Sequence, residues 1–232
     1  MIITKTPFRM SFFGGGTDME DYFKENGGAV LSTTFDKYCY VNVRHLPRFF
    51  DYSSELTYSK MERVKDTDDI KHPAIREAMK FLDMQEIRLT YEADLPARSG
   101  LGTSSSFAVG MLNAFYALKG KYADKKKLAN EAIYLERVLC NEAGGWQDQI
   151  AASFGGFNRI NFNTDGTYDV LPVIISPERK QHLNNNLMMF FTGFTRFSSE
   201  VQKANNVSGS EEKRVRLKKM YELVDEAEGV LT

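Results

Sequence analysis

Two cysteines are all that this 232-residue chain contains, Cys39 and Cys140, and neither lies in a metal-ligand or disulfide-framework spacing. That excludes a cysteine-built metal centre or disulfide scaffold, and both thiols are expected to be reduced core residues. An excess of one charge is equally lacking, because 30 basic side chains face 31 acidic ones for a formal charge of −1. No global field therefore favours nucleic acid or an acidic membrane, and any anionic ligand has to be captured by local geometry. No apolar run approaches the ~18 residues of a membrane span, and Met1-Ile2-Ile3-Thr4-Lys5 leads straight into a patterned segment rather than a signal region. The expectation is a cytoplasmic protein with neither nucleic acid nor membrane as partner. The common P-loop is absent too, since no lysine follows a GxxxxG spacing.

What is present is ample core material, 42% hydrophobic residues, arranged in two periods. Strand-like pieces fall at Ile2–Thr6, Ala29–Phe35 and Tyr38–Leu46, with a turn expected at Asp36-Lys37 between the last two. In Glu86–Asp94, Ile87, Leu89 and Tyr91 alternate with Arg88, Thr90 and Glu92, the period of a strand with one buried face. From Ser104 to Lys119 the period lengthens to that of a buried helix through Phe107, Met111 and Phe115, with Thr103 and its serines as caps. A second helix is expected from near Asp124 to before Gly144-Gly145, and a third from near Gln147. Beyond Phe157 the pattern is strand-like again, with a turn at Asn163-Thr164-Asp165-Gly166 and an apolar strand at Leu187–Phe191. A second domain is expected to start near Pro177, and the charged residues from Ser198 onward read as covering helices.

Four features carry chemistry. The segment Leu95-Pro96-Ala97-Arg98-Ser99-Gly100-Leu101-Gly102-Thr103-Ser104-Ser105-Ser106 runs from a strand through glycines into a helix start, where backbone donors and a positive dipole end can cradle phosphate. A plain capped helix with a serine-rich loop is the alternative. Glu136 has apolar Ala129, Ala132, Ile133 and Cys140 around it at helical spacing, so its carboxylate faces inward and needs a cation, a donor or a shifted pKa. Mg²⁺ suits such an oxygen ligand, and a boundary residue reaching solvent or an arginine suits the pattern as well. Asp148, after Gly144-Gly145-Trp146-Gln147, is either a helix cap or a general base held in a tight, buried turn. Finally, Pro7-Phe8-Arg9-Met10-Ser11-Phe12-Phe13 leads into Gly14-Gly15-Gly16-Thr17-Asp18, where Thr17 and Asp18 can meet sugar hydroxyls and Arg9 a phosphate or carboxylate; a turn between strands explains the glycines equally well.

Pro96-Ala97-Arg98-Ser99-Gly100-Leu101-Gly102-Thr103-Ser104 resembles the second motif of the galactokinase, homoserine, mevalonate and phosphomevalonate (GHMP) kinases, with Thr103 in place of a serine. The resemblance implies an α+β, two-domain fold: an N-terminal domain like ribosomal protein S5 domain 2 over 1–176, and a ferredoxin-like C-terminal domain, incomplete, over 177–232. It implies ATP bound by Pro96, Arg98, Ser99, Gly100, Leu101, Gly102, Thr103, Ser104 and Ser105, and Mg²⁺ held by Ser104 and Glu136. Asp148 falls on the family's catalytic aspartate with Arg9 beside it, and Gly15, Gly16, Thr17 and Asp18 fall on the substrate segment. Within the sugar branch, the Gly14–Asp18 run, Ile133-x-x-Glu136-Arg137, Gln147-Asp148-Gln149 and Phe191-Thr192-Gly193-x-Thr195-Arg196 are most similar to the D-glycero-D-manno-heptose 7-phosphate kinases. Gly145-Trp146-Gln147-Asp148-Gln149 is shared with fucose kinases.

The implied activity is transfer of the ATP γ-phosphate to the anomeric hydroxyl of the heptose 7-phosphate. Another sugar, L-fucose or galactose, and a silent nucleotide- or sugar-binding fragment are the alternatives. The family's third, glycine-rich motif has no counterpart, so a shortened form of the family pattern is expected. A homodimer stays open. For a remote phosphate on the substrate, Arg44, His45, Arg48, Arg159 and Arg196 are the available cations.

Overall fold

The computed structural model describes residues 1–97, 99–190 and 210–232. Its centre is a seven-stranded sheet pivoting on β2 (Gly28–His45). β1 (Ile2–Phe13) runs antiparallel along one edge of β2 from Ile2↔Val43 to Phe13↔Leu31. The other edge of β2 is shared: β5 (Ile87–Ala93) pairs with Cys39–His45, and β6 (Phe157–Phe162) with Gly28–Thr33. β7 (Tyr168–Pro172) pairs antiparallel with β6. On the far side β3 (Ser54–Thr57) lies parallel to β5 and carries β4 (Met61–Val64).

The turn expected at Asp36-Lys37 does not form. β2 continues through these residues, where it changes partner from β6 to β5 and its β1 register shifts between Thr34 and Tyr38. Asp36-Lys37 also lacks the glycine or asparagine that a tight hairpin requires. The apolar strand expected at Leu187–Phe191 is likewise absent over 187–190, where Met188 and Phe190 are exposed. Phe191, and with it the whole Phe191–Arg196 segment and Val207, lies outside the described residues.

One face of the sheet carries α1 (Glu20–Asn26), α2 (Pro73–Phe81), α3 (Thr103–Leu118), α4 (Lys125–Tyr134) and α5 (Gln147–Phe154). Val41, Val43, Leu56, Ile87 and Leu89 meet Ile75 and Met79 of α2 and Met111, Leu112 and Phe115 of α3 there. Next to them Val30, Ile160 and Phe162 pack on Phe23, Ala129, Ile133, Ile150 and Ala151. Strand alternation turns Ala29 and Leu31 to the opposite face, where they meet Val224 of α7 (Ser210–Leu231). The expected covering helix is thus α7, and among the described residues after Pro177 the other helix is α6 (Pro177–Asn185). Both cysteines are free thiols; burial pushes Cys39 up to about 12 and Cys140 to about 11.

Candidate phosphate and catalytic site

The site gathers where β1, the β5–α3 turn and the start of α5 meet. β1 departs from regular pairing twice, between Pro7 and Arg9 and between Ser11 and Phe13. Such irregularities re-aim side chains. Phe8 is fully buried, while the Arg9 amide leaves β2 and donates to Leu101 O at 3.2 Å. Arg9 therefore lies against the glycine loop. Its Nη1 donates to Gly100 O at 3.1 Å and its Nε to Asp148 Oδ1 at 2.8 Å. Burial disfavours the guanidinium charge, but Asp148, aided by Asp18, outweighs that and holds the Arg9 pKa above its ordinary value.

Gly102 closes the same contact from the loop side. It occupies the N-cap position of α3 with φ +73° and makes no side-chain cap, so the expected caps from Thr103 and the serines are replaced by a left-handed glycine. A Cβ there would stand 3.1 Å from Arg9 Cγ and 3.5 Å from Asp148 Oδ2. The loop, the arginine and the carboxylate are thus in direct register. With Oδ1 engaged by Arg9, Oδ2 is the Asp148 oxygen nearest the loop.

Pro96 and Gly100 are exposed at the loop's rim, and Leu101 is half-buried. Ser99 Oγ is buried without a hydrogen-bond partner, an orphan that an oxyanion would satisfy. Arg98 lies outside the described residues. Of the residues opening α3, Thr103 and Ser105 are buried and Ser104 is exposed. The first amides of a helix lack intrahelical acceptors and face whatever lies beyond its end.

Glu136 is 2% exposed, as the apolar spacing implied. It sits in a π turn, Leu135–Leu139, that continues α4 and is closed by Cys140 N donating to Leu135 O at 2.9 Å. Its partner is Ser105, whose Oγ donates to Oε2 at 2.7 Å; Gln149 Nε2 donates to the same oxygen. Ser104, the residue expected to share its cation, makes neither contact. Burial pushes the Glu136 carboxyl up, and Arg137, Ser105 and Gln149 only partly oppose this. Gln149 Oε1, beside this carboxylate, is buried and unpartnered. A lone buried carboxylate at the first turn of α3, next to an orphaned oxygen, fits a small hard cation that takes its remaining ligands from phosphate and water. Among the described residues no three acidic, histidine or cysteine side chains form a self-sufficient metal cluster.

The substrate segment departs from expectation. Thr17 is fully buried, and its hydroxyl donates to Gly14 O (2.8 Å) and Ala29 O (2.9 Å) and accepts from Ala29 N (3.1 Å). Its one proton is shared between the two carbonyls and the side chain is fully buried, so this residue pins the glycine turn to β2. Asp18 is 2% exposed and bonds to Gly16 and Gln147. Gly15 and Gly16 stay half-buried beside it. Burial, then the charge of Asp148, push the Asp18 carboxyl up against the backbone amides that pull it down.

Arg196 lies outside the described residues, and among the described ones the cations suggested for a remote phosphate do not converge. Arg159 is taken by Asp225 and Glu228 of α7 at 2.7 Å each. Arg44 and His45 close the end of β2 that pairs with the start of β5, away from the loop that follows Ala93, and Arg48 pairs with Glu86. Sequence reading missed Ser11 and Gln149 as site residues; Ser11, two positions after Arg9 on β1, donates to Gln147 Oε1 at 2.5 Å. For Ser11 the signal was the strand period, which places 9 and 11 on one face. No helix among the described residues is long and apolar enough to cross a membrane.

Comparison with known proteins gives this geometry a family context. The chain is 29% identical over 211 residues to a D-glycero-alpha-D-manno-heptose 7-phosphate kinase of Campylobacter jejuni, covering 87% of this chain and 62% of that protein. It is 24% identical to a bifunctional fucokinase/GDP-fucose pyrophosphorylase of Arabidopsis thaliana, over 84% of this chain and 20% of that one. A crystal structure of a D-glycero-D-manno-heptose 1-phosphate kinase from Bacteroides thetaiotaomicron superposes with TM-score 0.71 at 25% identity, over 79% of this chain and 63% of that one. The chain thus spans less than two thirds of the length of these relatives. Residues 70–156, which hold the glycine loop, Glu136 and Asp148, match the family model described as GHMP kinases N terminal domain.

Proposed function

We propose that this chain is the nucleotide- and sugar-binding part of an ATP-dependent sugar kinase, which phosphorylates the anomeric hydroxyl of D-glycero-D-manno-heptose 7-phosphate to the 1,7-bisphosphate. The observation that carries this reading is Asp148, held by Arg9 at 2.8 Å directly under the glycine loop. A base in that position serves an alcohol that attacks a phosphate bound on the loop. The similarity to the Campylobacter jejuni heptose 7-phosphate kinase supports the heptose substrate.

In this mechanism Gly100–Ser105 hold the ATP phosphates through the loop backbone, the Ser99 hydroxyl and the α3 N-terminus. Glu136, with Ser105 beside it, would hold Mg²⁺, which would neutralise phosphate charge when bound. Asp148 Oδ2 takes the proton of the anomeric hydroxyl as the oxygen attacks the γ-phosphorus and the bond to the ADP oxygen breaks. Arg9 orients Asp148 through its 2.8 Å contact with Oδ1, and its contact with Gly100 O ties the base to the phosphate loop. No covalent phosphoenzyme is required, and the rate comes from positioning and charge neutralisation. Residues 1–176 form the nucleotide domain in this reading and 177–232 begin the second domain. The partner is a small sugar or sugar phosphate in the cytoplasm.

A second reading, phosphorylation of L-fucose, draws on the commitment of Arg159 to Asp225 and Glu228 and on the fucokinase relative. It needs no pocket for a remote phosphate. The test is a panel of heptose 7-phosphate, L-fucose, galactose and mevalonate with Mg²⁺-ATP, read by phosphorus NMR of the product. A sugar 1-phosphate signal with the heptose alone supports the first reading and with fucose alone the second. No turnover on any sugar refutes the kinase reading for this chain.

A further inference from the structure

Asp18 is a buried acid whose oxygens all turn toward protein. Oδ1 accepts from Gly16 N at 3.0 Å and from Gln147 Nε2 at 3.1 Å, and Oδ2 accepts from Gln147 N at 3.2 Å. Its carbonyl accepts from Trp146 N at 3.2 Å. A residue that reads sugar hydroxyls has to present an oxygen to them, and this one is 2% exposed. What it contacts instead is the opening of α5. That helix begins after Trp146 with no side-chain cap of its own, and Gln147 N is its first amide. A carboxylate at a helix start satisfies an orphan donor and complements the dipole.

The clamp has a second jaw. Ser11 Oγ donates to Gln147 Oε1, so the two ends of the Gln147 amide are fixed, one by β1 and one by Asp18. The next residue is Asp148, and its partner Arg9 lies on β1 two positions before Ser11. The fit is tight enough to dictate Gly145, where a Cβ would fall 1.9 Å from Asp18 Oδ2. From this geometry we propose that Asp18 is a positioning residue, which through Gln147 ties the first turn of α5 to β1 and holds Asp148 in line with Arg9 and the glycine loop. This rests on the reading of Asp148 as the proton acceptor. It replaces a sugar-contacting role for Asp18 with a structural one whose output is catalytic. It also gives the Gly144–Gln147 run a physical reason, since Gly145 makes room for the carboxylate of Asp18, a residue far earlier in the chain.

The experiment compares wild type, Asp18→Ala, Asp18→Asn and Gly145→Ala by amide hydrogen exchange over 144–150 and by steady-state kinetics. Positioning predicts exchange at Gln147 faster by about tenfold or more in Asp18→Ala and Gly145→Ala, and a smaller increase in Asp18→Asn, which keeps one acceptor oxygen. It predicts that kcat falls by about 100-fold while the sugar KM stays within about threefold, because a misplaced base slows the chemistry without removing a sugar contact. Unchanged exchange at Gln147, or a sugar KM raised about tenfold with kcat retained, overturns the proposal. If wild type turns over no sugar, the kinase reading fails by itself, and the exchange measurement still decides whether Asp18 holds α5.

Discussion

Gly100 and Gly102 offer a matched pair of perturbations. Both adopt left-handed backbone, φ +78° and φ +73°, so alanine at either costs about 1–2 kcal/mol in conformational strain. For a chain of this size that is a fall in Tm of about 2–8 °C, nearly equal for the two. Their surroundings differ. A Cβ on Gly100 meets nothing within 4 Å among the described residues and projects into the space over the loop. A Cβ on Gly102 meets Arg9 Cγ at 3.1 Å and lies 3.5 Å from both Arg9 Nε and Asp148 Oδ2. Arg9 cannot yield freely, since Asp148 and Gly100 O hold its guanidinium. Gly102→Ala should therefore shift the pair by a few tenths of an ångström and lower kcat by about 10–100-fold. Gly100→Ala should raise the KM for ATP and leave kcat nearly intact. Thermal melts and a coupled ADP-release assay give both quantities. Equal kcat for the two variants would refute the direct coupling of loop and carboxylate.

Two further outcomes follow from buried groups. Thr17→Val keeps the shape but removes a hydroxyl that bonds Gly14 O, Ala29 O and Ala29 N, so it should cost about 1–3 kcal/mol in urea unfolding while leaving the sugar KM unchanged. A raised sugar KM without loss of stability would restore Thr17 as a ligand contact. Glu136 has a folded-state pKa raised above its unfolded value by burial. Its contribution to stability is then fully present below the unfolded pKa and is lost as pH rises through the folded one. Glu136→Gln should flatten that loss, making the unliganded protein more stable than wild type at neutral pH, while Mg²⁺-ATP ceases to raise its Tm. Melts across the acid-to-neutral range, with and without Mg²⁺-ATP, check both; an unchanged pH profile contradicts the burial argument.

Much of the site was legible because its chemistry is local. A glycine-serine run between a strand and a helix offers backbone donors that can cradle phosphate, and apolar spacing turned Glu136 inward, where it is found 2% exposed. The expected helices over Ser104–Lys119 and from Gln147 lie within a residue of α3 and α5. What could not be read are effects set by distant partners. Asp36-Lys37 looked like a turn because its pairing changes from β6 to β5 at that point, and no local signal records a change of partner. Thr17 and Asp18 looked like ligand contacts because two polar residues after three glycines suggest an open turn. Their burial is imposed by Ala29 and by Gln147, far along the chain. The exchange of Ser105 for Ser104 beside Glu136 has the same origin: the π turn sets which face of α3 the carboxylate meets.

The central claim is that Asp148 accepts the sugar proton under a loop that binds ATP. Asp148→Asn keeps the size and one oxygen of the side chain but removes its capacity to take a proton. Turnover of Mg²⁺-ATP with heptose 7-phosphate and nucleotide affinity should be measured on the same preparations of wild type and variant. The account predicts a fall in kcat of about 100-fold or more, within the range of general-base loss, with ATP affinity changed by less than about threefold. Retained turnover in Asp148→Asn would contradict it.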